Sequence, residues 1–155
     1  MILRKATIHD IDLLIRLRMD YFKAEGYLLQ EHQACMLKEQ LFDYFGRHLT
    51  QKTLIAMIAE QDGAAVATAF LAITEQPASP GVPTGKIGTL YNVLTYPDYR
   101  RQGIATSLVR SLIEETKKQQ VSALKLSATR DGHPLYERLG FYAAGWYTHM
   151  EMQLG

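Results

Sequence analysis

The sequence contains a single cysteine, Cys35, among its 155 residues. One cysteine cannot form an intramolecular disulfide, and it cannot build a cysteine-based zinc cluster. The histidines show no spacing typical of metal ligands, so the sequence predicts no metal site. The lack of disulfides favours a reducing compartment inside the cell.

Long apolar runs and a charge excess are also missing. No stretch reaches about 18 uninterrupted apolar residues, and the first ten residues lack the apolar run of a signal peptide. Lys and Arg number 17 against 16 Asp and Glu, a formal net charge of +1. We therefore expect a cytoplasmic protein with no nucleic-acid or membrane partner, and any anion site must be local.

The composition that is present is that of an ordinary globular protein. Hydrophobic residues make up 47% of the chain and charged residues 21%, which is too apolar for a disordered chain. A chain of 155 residues is near the usual size of one domain and can bury a real core. We expect a single domain over residues 1–155.

Hydrophobic periodicity and turn residues predict an alternation of helices and strands. A capping signal, Thr7 followed by Asp10, precedes the first helix. Asp62-Gly63 marks a hairpin turn, and the prolines and glycines of residues 77–85 mark an exposed loop. The predicted strands cover residues 2–6, 53–59, 64–74, 86–95 and 123–128 and a final pair within 141–152; the predicted helices cover 11–22, 35–49, 103–119 and 133–139.

The most informative segment is the junction between the strand at 86–95 and the helix that follows. Residues 100–105 read Arg-Arg-Gln-Gly-Ile-Ala. A helix N-terminus leaves backbone N–H groups unpaired and carries partial positive charge, so it stabilises a phosphate. Gly103 lacks a Cβ and lets the backbone approach the phosphate closely. The sequence has neither a P-loop nor a dinucleotide-binding glycine motif, so this turn predicts another kind of diphosphate site.

Residues 92–105 resemble motif A of the GNAT superfamily of N-acetyltransferases, whose signature is Gln or Arg, two residues, Gly, one residue, then Gly or Ala. Arg100, Gly103 and Ala105 match that signature. Residues 134–141, Pro-Leu-Tyr-Glu-Arg-Leu-Gly-Phe, resemble motif B of the same family. The order of helices and strands fits from residue 2 to residue 153.

The resemblance implies a fold and a cofactor. The fold class is α/β (α+β, GNAT-like), with a mixed, mostly antiparallel central sheet of about seven strands and about four flanking helices. The sheet is expected to splay between its fourth and fifth strands. The co-substrate is expected to be acetyl-CoA, and a longer acyl donor stays open. A homodimer also stays open, because similar proteins are commonly dimeric.

The resemblance assigns the cofactor to the strand and the turn. Backbone amides of the turn would bind the CoA pyrophosphate, and the strand would pair with pantetheine as an added strand. A backbone N–H of Val93 or Leu94 would polarise the thioester carbonyl. The implied cofactor-binding residues are Val93, Leu94, Thr95, Arg100, Arg101, Gln102, Gly103, Ile104, Ala105, Thr106, Thr129 and Tyr136.

The resemblance also assigns a proton donor. Tyr136 matches the motif B tyrosine, which would protonate the departing thiolate as a general acid. Thr129 departs from the family pattern at an implied cofactor contact, because the family often has asparagine seven residues before that tyrosine. No spacing compels a general base, and Glu75 is a weak candidate.

The acceptor is less well specified than the donor. Aromatic residues of the first two helices and their connection could line its pocket or belong to the core. The predicted function is transfer of an acetyl group to a primary amine of a small molecule or a peptide by direct attack. The alternative is a catalytically silent acyl-CoA-binding sensor or interaction module.

Overall fold

A computed structural model describes residues 1–145 and 147–155. Its elements follow one another along the chain as a strand, two helices, three strands, a helix, a short strand and a last helix. The strands are β1 (Ile2–Lys5), β2 (Leu54–Gln61), β3 (Ala64–Glu75), β4 (Lys86–Thr95) and β5 (Ala123–Lys125); the helices are α1 (Ile11–Ala24), α2 (Glu31–Gln51), α3 (Ile104–Lys117) and α4 (His133–Arg138).

The strands form one mixed sheet in the order β1-β2-β3-β4-β5. The first three pairings are antiparallel, and β5 joins β4 in parallel after the crossover through α3. The β2–β3 turn is the predicted Asp-Gly hairpin, because Asp62 and Gly63 have φ values of 53° and 77°, as a type I′ turn requires. The predicted capping box between Thr7 and Asp10 is also present.

The core lies on both faces of the sheet. On one face Leu14 and Leu17 of α1 and Phe45 of α2 pack against β2 and β3. On the other face Leu108 and Leu112 of α3 pack against the opposite side of the same strands. Both faces of β2 and β3 are therefore covered, which explains why their sequences are almost continuously apolar.

Two predictions about the sheet are wrong. The strand predicted at 123–128 ends at Lys125, and residues 141–145 and 147–155 form no strand; Trp146, within the predicted final pair, lies outside the described residues. The sheet thus has five strands rather than about seven. The alternating residues Met150, Met152 and Leu154 are exposed and pack on no core face, and alternation alone does not supply the partner strand that a β-strand needs.

A bulge in β4 is the main irregularity of the sheet. Phe70 pairs with Tyr91 and Thr68 with Leu94, so β4 carries one residue more than β3 across this interval. Asn92 occupies the bulge with φ 55°, a left-handed conformation that asparagine tolerates better than most residues. Its side chain is buried; Nδ2 donates to the Leu17 carbonyl at 3.4 Å, and Oδ1 accepts from Arg18 at 3.3 Å.

We expect Asn92→Ala to lower the free energy of unfolding by about 2 to 4 kcal/mol. The change removes two hydrogen bonds. It also puts alanine, which has no side-chain amide to stabilise the left-handed conformation, at a position with positive φ. Asn92→Gly is the matched control, because it loses the same hydrogen bonds but glycine adopts the left-handed conformation without strain. Urea unfolding measures both, and equal stability of Asn92→Ala and the wild type would contradict this role of Asn92.

Candidate active site

A cleft of about 1150 Å³ opens beside the C-terminal half of β4. The start of α3 and the segment around α4 form two of its walls, and the end of α1 forms a third. Its lining residues are Tyr21, Ala24, Glu25, Val93, Leu94, Thr95, Tyr99, Arg100, Arg101, Gly103, Ile104, Ala105, Thr106, Thr129, Arg130, Asp131, Gly132, Pro134, Leu135, Tyr136 and Arg138.

The turn before α3 is shaped to receive an anion. Arg101 and Gly103 both have positive φ, 60° and 77°, and such conformations turn successive N–H groups toward one concave surface. A Cβ built on Gly103 would meet no atom within 4 Å, so the space in front of it is open. In the part of the chain that the structure describes, no side chain caps α3, and its first amides stay available to a phosphate.

Four arginines give the same cleft a positive local charge. Arg100, Arg101, Arg130 and Arg138 line it, against the carboxylates of Glu25 and Asp131. Arg100 also fixes the turn, because its Nε donates to the Thr95 carbonyl at 2.9 Å. A nearly neutral chain therefore has a locally electropositive cleft, as a diphosphate site requires. Arg130 lies outside the two motifs and Arg138 lies within motif B, and neither is among the cofactor-binding residues that the resemblance implies.

The splay between β4 and β5 leaves backbone free beside this turn. The two strands pair only at Ile87, Gly88 and Thr89, opposite residues 123–125. Beyond Thr89, β4 continues to Thr95 with no strand pairing it on that side among residues 1–145 and 147–155. Unpaired strand edges bind extended ligands that carry amides, and pantetheine is such a ligand. The cleft and its open edge therefore fit the shape and chemistry of acetyl-CoA.

Tyr136 stands on the α4 side of the cleft. Its ring is half-buried and packs edge-to-face on Phe141, with the ring centroids 5.9 Å apart. Burial, followed by the nearby Tyr21 and Glu25, raises the pKa of Tyr136 to about 12. The phenol therefore stays protonated at neutral pH and can donate a proton.

The end of α1 supplies the wall opposite α4, a contribution that the sequence motifs did not indicate. Tyr21, Ala24 and Glu25 line this wall. The Tyr96 hydroxyl, just after β4, donates to the Asp20 carboxylate at 2.5 Å, and this bond fixes α1 beside the cleft. Burial and the Asp20 carboxylate raise the pKa of Tyr96 to about 12, so this phenol also stays neutral and remains a donor.

Two predicted residues lie away from the cleft, and a third lines it with its side chain already hydrogen-bonded. Glu75 pairs with Lys86 at the far end of β4, roughly 20 to 30 Å from the cleft at the usual rise per strand residue, so it is not placed to act as the base. Gln102 does not line the cleft, and its Nε2 approaches the Asp98 carbonyl at 3.5 Å. Thr129 does line it, but its Oγ1 accepts from the Gly132 N–H at 3.2 Å.

The match to a protein family covers most of the chain. Residues 12–141 match the acetyltransferase (GNAT) family. A predicted acetyltransferase from Clostridium acetobutylicum, solved with acetyl-CoA, is 29% identical with a TM-score of 0.87 and covers 97% of this chain and 95% of its own. A GCN5-related N-acetyltransferase from Ralstonia eutropha JMP134 is 25% identical with a TM-score of 0.84, over 99% and 97% of the two chains.

Curated relatives match over shorter segments. The [Ribosomal protein bS18]-alanine N-acetyltransferase of Escherichia coli (strain K12) is 41% identical over 59 residues, 36% of this chain and 40% of that protein. The chain thus spans well under two thirds of the length of the curated relatives it matches, down to 21% for one from Bacillus subtilis (strain 168).

The cleft, the fold and the family match agree with one another. GNAT acetyltransferases use acetyl-CoA, so the co-substrate expected from the motifs is confirmed for the family. No helix among the described residues has the length and apolarity to span a bilayer. On the match over residues 12–141 and the structural likeness along the whole chain, this protein belongs to the acetyltransferase (GNAT) family.

Proposed function

We propose that this protein is an N-acetyltransferase that transfers the acetyl group of acetyl-CoA to a primary amine of a small molecule or a peptide by direct attack. The observation that carries the proposal is the continuity of the cleft. It joins the open turn at Gly103, the unpaired edge of β4 and the protonated phenol of Tyr136.

Each wall of the cleft has a separate task. The amides of Arg101, Gly103, Ala105 and Thr106 hold the pyrophosphate, with Arg100 and Ile104 completing that wall. Residues 93–95 present the strand edge, and an N–H of Val93 or Leu94 is aimed at the acyl oxygen. Acetyl-CoA, when bound, supplies an acetyl group activated as a thioester.

Tyr136 and Glu25 handle the protons. Tyr136 keeps its proton at working pH and donates it to the leaving sulfur. An attacking amine must first lose a proton, and a carboxylate in the cleft can accept it directly or through one water. Glu25 lies beside Tyr136, close enough that its charge helps to raise the pKa of that phenol, so we assign the base to Glu25 in place of Glu75.

The short match to the ribosomal-protein-alanine acetyltransferase supports a peptide N-terminus as one acceptor class. CoA release measured with a panel of small amines and short peptides tests the proposal. Turnover on at least one amine, with the N-acetyl product identified by mass, is the expected result. Acetyl-CoA binding without turnover on any amine would overturn it in favour of a silent acyl-CoA sensor.

Gly103→Val is expected to weaken acetyl-CoA binding roughly 10- to 100-fold, because the side chain fills the open space and blocks charge-assisted amide hydrogen bonds. The matched control is Gly63→Val. Gly63 has the same φ, 77°, and equally open surroundings, so both variants carry the same backbone strain. Calorimetry with acetyl-CoA measures the loss of binding, and thermal unfolding measures the loss of stability. Equal affinities for the two variants would refute the pyrophosphate site at the turn before α3.

Tyr136→Phe is expected to lower kcat roughly 100-fold or more while acetyl-CoA affinity is kept, because only the proton donor is lost. Tyr142→Phe, at an exposed tyrosine outside the cleft, is the control. Because the pKa of Tyr136 is raised to about 12, the phenol loses its proton only well above the ordinary tyrosine pKa of about 10. A Tyr136→Phe variant that keeps the wild-type kcat would argue against the acid role.

Glu25→Gln is expected to reduce kcat/KM roughly 100-fold, because an amide cannot accept the proton of the attacking amine. Glu75→Gln, far from the cleft, should leave kcat/KM unchanged. Steady-state kinetics of the wild type and both variants with one amine are the measurement. The reverse pattern, with loss only in Glu75→Gln, would restore Glu75 and remove Glu25.

A further inference from the structure

Arg18 on α1 is a half-buried cation that the described part of the protein leaves without a counter-ion. No carboxylate there lies within ion-pair distance of it. Arg4, by contrast, bonds Asp10 at 2.9 Å and Glu60 at 2.8 Å. Burying an unpaired cation is unfavourable, and protein charges out of water are normally paired.

The contacts of Arg18 hold its guanidinium in place without neutralising it. One terminal N–H donates to Asn92 Oδ1 at 3.3 Å. The guanidinium carbon lies 4.5 Å from the Phe22 ring centroid and 5.8 Å from that of Tyr21, as in cation–π contacts. Burial lowers the pKa of Arg18, but an arginine so far above neutrality keeps its charge at pH 7.

Most of the donors of Arg18 are unused. A guanidinium has five N–H groups, and only one donates to a protein acceptor among the described residues. No buried nitrogen or oxygen of a described half-buried or buried side chain lacks a partner. The remaining N–H groups of Arg18 therefore reach solvent and can meet a ligand.

Phenols complete the surroundings of this cation. Tyr21, Tyr44 and Tyr91 lie close enough to Arg18 to influence its pKa. Burial raises the pKa of Tyr21 and Tyr44, so both hydroxyls stay neutral and can donate. Tyr91 is 47% exposed, which leaves this cluster open to the outside.

The cluster adjoins the reaction cleft through Tyr21 and through the bulge in β4. Tyr21 contacts Arg18 and also lines the cleft beside Tyr136. Asn92, which accepts from Arg18, directly precedes the cleft residue Val93. A molecule whose amine approaches Tyr136 and Glu25 from this side would carry its remaining groups past Arg18.

We propose that Arg18, with the hydroxyls of Tyr21, Tyr44 and Tyr91, binds a carboxylate carried by the acceptor, so that the preferred substrates are amines that also bear a carboxylate. The planar fork of a guanidinium matches a carboxylate in a bidentate pair. This inference rests on the proposed N-acetyltransferase function and names the acceptor class of the same site.

The test compares matched acceptors that differ only in the carboxylate, namely amino acids with their amides and ω-amino acids with alkylamines of equal length. Wild-type kcat/KM should favour the carboxylate member roughly 10- to 100-fold, mainly through KM. In Arg18→Met that preference should fall to near unity while turnover of the neutral member is kept. Arg110→Met, which removes an exposed cation from α3, should keep the wild-type preference.

Two results would overturn the assignment. One is a wild-type enzyme that does not prefer the carboxylate members. The other is an Arg18→Met variant that loses activity equally on both members, which would mean that Arg18 only supports Asn92 and the bulge. Arg18→Lys keeps the charge without the fork, and it should restore part of the preference.

Calorimetry with the carboxylate-bearing amines gives a readout that needs no turnover. Binding to the wild type that weakens at least about tenfold in Arg18→Met supports the carboxylate site. If that binding occurs but no amine is acetylated, the proposed enzymatic function fails and the Arg18 site stands. If amines are acetylated but carboxylates neither bind nor accelerate the reaction, the Arg18 site fails alone.

Discussion

The site depends on the bulge in β4 and on the buried asparagine that occupies it. Asn92 adopts a left-handed conformation and bonds α1 through the Leu17 carbonyl and Arg18. The extra residue changes the course of β4 immediately before Val93, where the strand becomes a wall of the cleft. The same side chain holds α1 against β4, so that Tyr21 and Glu25 face Tyr136. The side-chain amide of Asn92 thus links the course of β4 to the position of α1, which forms the opposite wall of the cleft.

In the function that we propose, the two substrates are bound by different chemistry. The proposed donor site uses backbone, namely the amides before and within the first turn of α3 and the open edge of β4, with arginines as local counter-charge. These features need few particular side chains, which is why a short glycine-containing signature marks them. The proposed acceptor site uses side chains of α1, α2 and β4, and we infer that its selectivity rests on which of them carry charge. A net charge of +1 indicates neither the basic cleft nor Arg18, which has no counter-ion among the described residues.

The parts of the fold that local patterns control could be predicted. The bounds of β4, the Asp62-Gly63 turn and the Thr7–Asp10 capping box are present as expected, because each depends on neighbouring residues. The final strand pair predicted within 141–152 is absent from the described residues, because a local sequence pattern does not choose a partner strand. Glu75 is a carboxylate near the end of β3, but antiparallel pairing places it beside Lys86, at the end of β4 that lies away from the cleft. The roles proposed for Glu25 and Arg18 depend on the packing of α1 on β4, which local sequence patterns do not predict.

The claim that joins all of these features is that the turn before α3 and the free edge of β4 form one continuous acetyl-CoA site. Residue-resolved amide hydrogen exchange, with and without acetyl-CoA, tests it directly. We expect acetyl-CoA to slow exchange at Val93 and Thr95 and at the amides of residues 101–106 that have no partner among the described residues, and to leave exchange at Glu75 and Lys86, at the other end of the sheet, unchanged. Slowed exchange confined to another surface, such as the groove between α1 and α2 lined by Ile15, Cys35 and Phe42, would contradict it.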